Sequence, residues 1–161
     1  MAPAEVIGRA FGLEVEGTFA IPALGTAARA PSPRRALCRA RTVAELERGW
    51  DDEGSDEALE PRYPDEPLFL SIRSHPDAGY RIWAPRHGRH LVSADGTEIQ
   101  SALPRNNTLG WQRLFFAQTA PLAAHPHGLE VPLASAPGLH RAGAASPPPS
   151  GAGKSSLAAH L

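Results

Sequence analysis

Residues 68–103 read LFLSIRSHPDAGYRIWAPRHGRHLVSADGTEIQSAL, and this stretch decides the fold. Apolar residues alternate with other residues at Leu68, Leu70 and Ile72, and the alternation returns from Tyr80 to Ala84. This period of two is typical of strands with one buried face. The sequences HPDAG, PRHGR and ADG separate the apolar segments and contain residues that favour turns. Because strands joined by such short turns pair in antiparallel fashion, the stretch predicts an antiparallel β-meander.

After the meander, the spacing of the apolar residues changes from that of a strand to that of a helix. Residues 109–125 place Trp111 and Phe115 on one side of a predicted helix, and Pro121 is expected to kink or interrupt that helix because it has no N–H to donate. An amphipathic helix after a meander predicts an α+β fold in which the helix covers one face of the sheet. The predicted core comprises Leu70, Ile72, Tyr80, Ile82, Leu91, Trp111 and Phe115.

The region before the meander has a mixed character. Residues 11–21 alternate like a strand, whereas residues 25–67 are rich in proline and charge and are predicted to be mostly loop. Within that loop, Thr42 and Glu45 have the spacing of a capping box and predict a short helix. We therefore interpret residues 1–110 as a β-rich leader domain with a proline-rich, charged loop at 25–67.

Charge and composition exclude several classes of protein. The 161 residues carry a formal net charge of −1, and the basic run Arg34 to Arg41 is followed by the acidic run Asp51 to Glu60, so no broad surface attracts nucleic acid. No apolar stretch is long enough to cross a membrane, and the start does not resemble a signal peptide. We therefore expect a cytoplasmic protein without nucleic-acid or membrane partners. The histidines His75, His87 and His90 are expected to be exposed turn residues.

The last fifteen residues, PPPSGAGKSSLAAHL, contain a phosphate-binding motif. Backbone N–H groups of a glycine-rich loop can surround phosphate oxygens, a lysine can contact the β and γ phosphates, and a hydroxyl can bind Mg²⁺. Pro148 stands where the full motif has its first glycine. Ser155 is the expected hydroxyl for a phosphate-bound Mg²⁺. The candidate nucleotide-binding residues are Ser150, Gly151, Ala152, Gly153, Lys154, Ser155 and Ser156.

With these residues in view, the run from Trp111 to Leu161 resembles the front half of the HPr kinase/phosphorylase-related serine kinases of bacteria, and GYRIWAPRHGRHLVSADGTEI resembles their β-rich leader. The resemblance implies a P-loop kinase that uses ATP and Mg²⁺ and acts on the serine hydroxyl of a protein or peptide. It also implies a homo-oligomer. On this interpretation, residues 111–161 are a helix and the incomplete start of a P-loop α/β kinase domain.

The chain departs from that family at positions that matter for catalysis. Leu133 falls where the family has a histidine, and prolines stand at 137, 147 and 148. The acidic residues that the family has after the loop would lie beyond Leu161, so we expect a truncated, catalytically impaired kinase and assign no catalytic residue. The alternative is a non-enzymatic module that binds a partner and retains a vestigial P-loop.

Overall fold

The computed structural model describes residues 5–24, 34–59, 70–106, 108–129, 138–139 and 142–143. The chain divides into two compact units, residues 1–130 and residues 131–161. The first unit therefore includes the helix that the sequence analysis placed in the second domain.

Eight strands of the first unit form one sheet, in the order β1-β2-β3-β8-β7-β6-β5-β4. The strands are β1 (Glu5–Ala10), β2 (Leu13–Gly17), β3 (Arg35–Ala40), β4 (Asp56–Leu59), β5 (Ser71–His75), β6 (Gly79–Ala84), β7 (Gly88–Val92) and β8 (Glu98–Ala102). β3 runs parallel to both of its neighbours, β2 and β8, and all the other neighbouring pairs are antiparallel. With the helices described below, this architecture confirms the α+β class.

Strands β5 to β8 confirm the predicted antiparallel meander. Ile82 is paired with Ile72 on one side and with His90 on the other, so the apolar positions share one face. Gly79 ends the first turn with a φ of +96°, and a Cβ there would lie 2.1 Å from the carbonyl oxygen of Val92. The turn therefore requires glycine at this position.

Helical residues cover the apolar face of the sheet. They comprise α2 (Thr108–Leu114), a π-helical turn (Phe115–Thr119), α3 (Ala120–Ala124) and a short 3₁₀ turn (His125–His127). Trp111 and Phe115 are buried, as predicted. The N–H of Ala120 donates to the carbonyl of Phe115, five residues earlier, immediately before Pro121. The regular helix is thus interrupted next to Pro121, as predicted.

The core prediction is confirmed except at Tyr80. That residue is half-buried, whereas the other six predicted core residues are buried. The exposed placement predicted for the three histidines is wrong, since His75 and His87 are half-buried and His90 is fully buried. His90 lies within β7 and points to the helix-covered face, because the strand begins earlier than the turn residues suggested.

The loop prediction for segment 25–67 is wrong in part, since the segment supplies two strands that were not predicted, β3 and β4, as well as the predicted helix. β3 lies inside the sheet, and α1 (Val43–Arg48) and β4 follow it. The predicted capping box at Thr42 and Glu45 is confirmed: the Glu45 N–H donates to the Thr42 hydroxyl, and the Thr42 N–H donates to the Glu45 carboxylate. Within the described ranges, no helix is both long enough and apolar enough to span a bilayer.

Most of the basic run lies in β3 and not in the predicted loop. Arg35 pairs with Glu14 and Glu16 of the neighbouring β2, and Arg39 pairs with Glu98 of β8. Acidic side chains from adjacent strands therefore neutralise arginines that the sequence placed in a loop.

The second unit is described only at β9 (Gly138–Leu139) and β10 (Ala142–Gly143), which form a two-stranded antiparallel ribbon.

Candidate functional site

The sequence-predicted nucleotide site lies outside the described residues. All seven positions from Ser150 to Ser156, and Leu133 and Pro148 with them, belong to this part of the chain. Their role in binding ATP and Mg²⁺ stays a prediction.

A group of arginine and tryptophan side chains lies on the sheet face opposite α2 and α3. Arg73 of β5 is paired with Arg81 of β6, and Trp83 of β6 is paired with Arg89 of β7. Directly paired residues share a face, and so do residues two apart in a strand. The register of the meander therefore gathers three arginines and a tryptophan, which we call the arginine–tryptophan cluster.

The tryptophan of the cluster contacts two guanidinium groups. The Arg81 guanidinium carbon lies 4.1 Å from the centroid of the Trp83 ring, and that of Arg89 lies 4.6 Å from it. A third contact joins Arg81 to Trp50 at 5.8 Å. Cations at such distances are attracted to the negative face of the indole ring, and a contact of this kind contributes about 0.5–2 kcal/mol depending on desolvation.

The connection between α1 and β4 supplies an acidic partner. The Asp52 carboxylate oxygen Oδ1 accepts hydrogen bonds from Arg81 Nη1 at 2.9 Å and from Trp50 Nε1 at 3.0 Å, and it lies 3.6 Å from Arg73 Nη1. A second acid, Glu47 of α1, pairs with Arg89. The carboxylates of Asp52 and Glu47 thus face the three guanidinium groups.

Helix α1 explains why Asp52 reaches this position. Its capping box fixes where the helix begins, and its buried residue Leu46 packs with Trp50, Leu91 and Ala102. Since Trp50 is anchored in this small core, the residues that follow it continue across the sheet towards β5 and β6. The carbonyl of Ser55 accepts a further hydrogen bond from Arg73 Nη2 at 3.1 Å.

Arg81 is the most enclosed arginine of the cluster, with only 8% of its surface exposed. Burial lowers the pKa of Arg81 from its ordinary value, and the neighbouring Asp52 carboxylate opposes that shift. Three N–H donors of the cluster are buried and have no acceptor among the described residues: Arg73 Nε, Arg81 Nε and Trp83 Nε1. Buried donors of this kind are usually satisfied in proteins, so these three are exceptions that call for an explanation.

The buried His90 contacts Ser101, which is buried too, so neither side chain is accessible to solvent. Its Nδ1 lies 2.8 Å from the Ser101 hydroxyl, and its ring packs edge-on against Phe115 at 6.4 Å. Complete burial lowers the pKa of His90 to about 4, so the imidazole is neutral at pH 7. Burial also raises the pKa of the Cys38 thiol to about 12, which excludes a thiolate nucleophile at that position near neutral pH.

A cleft of about 370 Å³ lies near the turn between β5 and β6. Ser74 and His75 both line it, but neighbours in a strand point to opposite faces, so they do not form a nucleophile and base pair. The His75 Nδ1 accepts from the backbone N–H groups of Asp77 and Ala78, which holds the ring in the turn. The residues lining the cleft are Asp56, Ser74, His75, Pro76, Gly79, Tyr80 and Ala94.

Within the described ranges, no three His, Cys, Asp or Glu side chains come close enough to hold a metal ion. The Mg²⁺ expected at Ser155 concerns a residue beyond those ranges.

Comparison with known proteins finds no matching family, no matching curated protein and no matching solved structure.

Sequence reasoning missed the arginine–tryptophan cluster, although a signal for it exists. The apolar alternation through Ile72 and Ile82 places Arg73, Arg81 and Trp83 on the other face. The same alternation that identified the core could therefore have identified the cluster. No such pattern in the sequence indicates that Asp52 joins the cluster, because Asp52 lies in an irregular connection without alternation.

Proposed function

We propose that this chain is an ATP-binding protein of the serine-kinase kind that its sequence resembles. The observation that carries the proposal is the run SGAGKSS at residues 150–156. Its donor set suits a nucleotide: backbone N–H groups beside Gly151 and Gly153 can surround phosphate oxygens, and Lys154 can neutralise phosphate charge. The Ser155 hydroxyl can bind the Mg²⁺ that accompanies ATP.

The reaction class that follows is phosphoryl transfer to the serine hydroxyl of a protein or peptide, with bound ATP supplying the phosphoryl group. The chain's own residues would hold and orient the phosphates. Leu133, which stands where the resemblance places a histidine, can neither accept nor donate a proton. We therefore expect transfer to be slow even where nucleotide binds, and Pro148 to weaken binding at the entry to the loop.

Lys154 offers a sharp test because it is the only lysine in the sequence. An acyl-phosphate derivative of ATP transfers its acyl group to an amine held beside the terminal phosphate. Mass spectrometry of the digested full chain should find the acyl group on Lys154, with labelling suppressed by excess Mg-ATP and unaffected by AMP, which lacks the β and γ phosphates. The α-amino group reports non-specific labelling.

The matched control variant keeps the Lys154 amine and changes the phosphate-binding loop around it. Gly153→Val should lose the ATP-protected labelling because its side chain obstructs the backbone N–H groups that surround phosphate, whereas Pro148→Gly should strengthen it. Labelling of Lys154 that Mg-ATP does not suppress, or that Gly153→Val leaves unchanged, would reject the proposal.

A second candidate function is a partner-binding module without chemistry of its own. It is favoured by the arginine–tryptophan cluster, whose unsatisfied donors and cation-rich surface lie on the described sheet. A chain that binds an acidic partner through Arg81, yet shows no ATP protection at Lys154, would favour this second function over the first.

A further inference from the structure

The Asp52 carboxylate occupies a place in the arginine–tryptophan cluster that suits an oxyanion from any source. One oxygen, Oδ1, accepts from Arg81 Nη1 at 2.9 Å and from Trp50 Nε1 at 3.0 Å. The same oxygen lies 3.6 Å from Arg73 Nη1. Guanidinium groups recognise carboxylate and phosphoryl oxygens through the same N–H donors, so this geometry does not require the oxygen to belong to the chain.

The Asp52 side chain is more exposed than the side chains of the arginines that it contacts. Its side chain is 60% exposed, whereas that of Arg81 is 10% exposed. Asp52 lies in the irregular connection between α1 and β4, outside any helix or strand. The carboxylate can therefore be hydrated when it leaves the pair, whereas the guanidinium group stays enclosed and needs another acceptor.

If the Asp52 carboxylate moved away, N–H donors of the cluster would lose a hydrogen-bond acceptor. Arg73 Nε, Arg81 Nε and Trp83 Nε1 already have none among the described residues, and Arg81 would lose its bonded carboxylate as well. These donors are closed to solvent with Asp52 in place. An oxyanion that replaced Asp52 would satisfy the donors that Asp52 uses and could approach those that it does not reach.

The other acids on this face have different partners. Glu47 pairs with Arg89, and Glu57 of β4 lies opposite Arg73 in the strand register. Neither is hydrogen-bonded to Arg81 in the described contacts. Asp52 is thus the carboxylate that balances the buried Arg81.

We propose that the arginine–tryptophan cluster is an oxyanion-binding site in which Asp52 is an internal ligand, displaced when a carboxylate or phosphoryl group binds. This inference deepens the second candidate function, since it states the chemistry of the partner. It does not depend on residues 150–156, so its failure and the failure of nucleotide binding are separate outcomes.

The test is a titration of the full chain observed through the N–H signals of the arginine Nε and tryptophan Nε1 groups by ¹⁵N NMR. The probes are inorganic phosphate and the peptide acetyl-Glu-Glu-Glu-amide, with sodium chloride at matched ionic strength as the reference. Saturable shifts at Arg73, Arg81 and Trp83 are expected with at least one probe. The probe that binds more tightly identifies the source of the oxyanion.

Variants separate displacement from general attraction. Asp52→Asn should bind the preferred probe about tenfold more tightly. The substitution removes the carboxylate that competes for Arg81, so the state that can bind the probe becomes the main one. Glu57→Gln removes an equal charge nearby and should change affinity much less. Arg81→Gln should abolish saturable binding, and Lys154→Ala should leave it unchanged.

The proposal fails if neither probe gives saturable shifts in the wild-type chain, or if Asp52→Asn and Glu57→Gln strengthen binding equally. Far-UV circular dichroism establishes that each variant is folded. Should Asp52→Asn not fold, the comparison between the wild-type chain and Arg81→Gln decides: equal binding by both would overturn the assignment.

Discussion

Arg81 and Asp52 form an ion pair with a separation of 2.9 Å, although they lie 29 positions apart in the chain. The two partners differ in exposure, since 10% of the Arg81 side chain and 60% of the Asp52 side chain are accessible to solvent. Removing one partner therefore has a different consequence from removing the other. An unpaired Asp52 can be hydrated, whereas an unpaired Arg81 remains enclosed.

Asp52→Ala should accordingly lower the free energy of unfolding more than Arg81→Met does. We expect a loss of about 2 kcal/mol for Asp52→Ala, because a partly buried cation loses its partner. We expect a loss under about 1 kcal/mol for Arg81→Met, because the apolar methionine side chain suits an enclosed position and the exposed Asp52 can be hydrated. Urea denaturation at pH 7 measures both. Glu53→Ala, at an exposed neighbouring position, serves as the control, and a greater loss for Arg81→Met would contradict the argument.

Acidification should destabilise the fold through His90. The folded-state pKa of His90 is about 4, below the ordinary value of 6.5, so the unfolded chain binds the proton more readily. The contribution of His90 to the free energy of unfolding is therefore fully present above pH 6.5. It falls by about 3 kcal/mol in all as the pH drops from 6.5 to 4.

The pH effect can be assigned by comparing variants. His90→Leu removes the titration, so its free energy of unfolding should decline less than that of the wild-type chain between pH 7 and pH 4. His125→Gln changes an exposed histidine and should decline like the wild type. Parallel declines for the wild type and His90→Leu would show that His90 is not the responsible group.

Thr42→Ala should weaken the start of α1. The variant loses the hydroxyl that accepts the Glu45 N–H, and N-cap substitutions of this kind cost about 1 kcal/mol. Thr18→Ala, at another exposed threonine, should change stability by less than about 0.5 kcal/mol. Thermal denaturation of both variants provides the comparison, and equal melting temperatures would contradict a stabilising role for the cap.

The turn between β1 and β2 should become more stable with Asn at position 11. Phe11 has a φ of +52° and Gly12 a φ of +81°, which is the left-handed pattern that favours Asn-Gly in two-residue hairpins. Phe11→Asn should therefore raise the free energy of unfolding by about 0.5–1 kcal/mol. Gly12→Ala should lower it, because its Cβ would meet the Leu129 side chain at 3.1 Å. Chemical denaturation that ranked the two variants in the opposite order would refute the turn assignment.

Several features of the fold could be predicted because their causes are local. The meander follows from alternation and turn residues between 68 and 103, and the capping box at Thr42 depends on residues three apart. The position of β3 could not be predicted in this way. Its parallel pairing with β2 and β8 depends on distant strands, and arginines such as Arg35 indicate a strand only when the acids of neighbouring strands are known.

The sequence by itself determined the α+β class, the order of strands β5 to β8, and the phosphate-binding motif as a prediction for residues 150–156. Only the tertiary structure decided that Asp52 meets Arg81 and that His90 is enclosed beside Phe115. The physical reason is the distance along the chain between the residues that interact. Turns, caps and alternation depend on residues a few positions apart. The placement of Asp52 depends instead on Leu46 of α1 and on Trp50 after it, which pack onto strands that come much later in the chain.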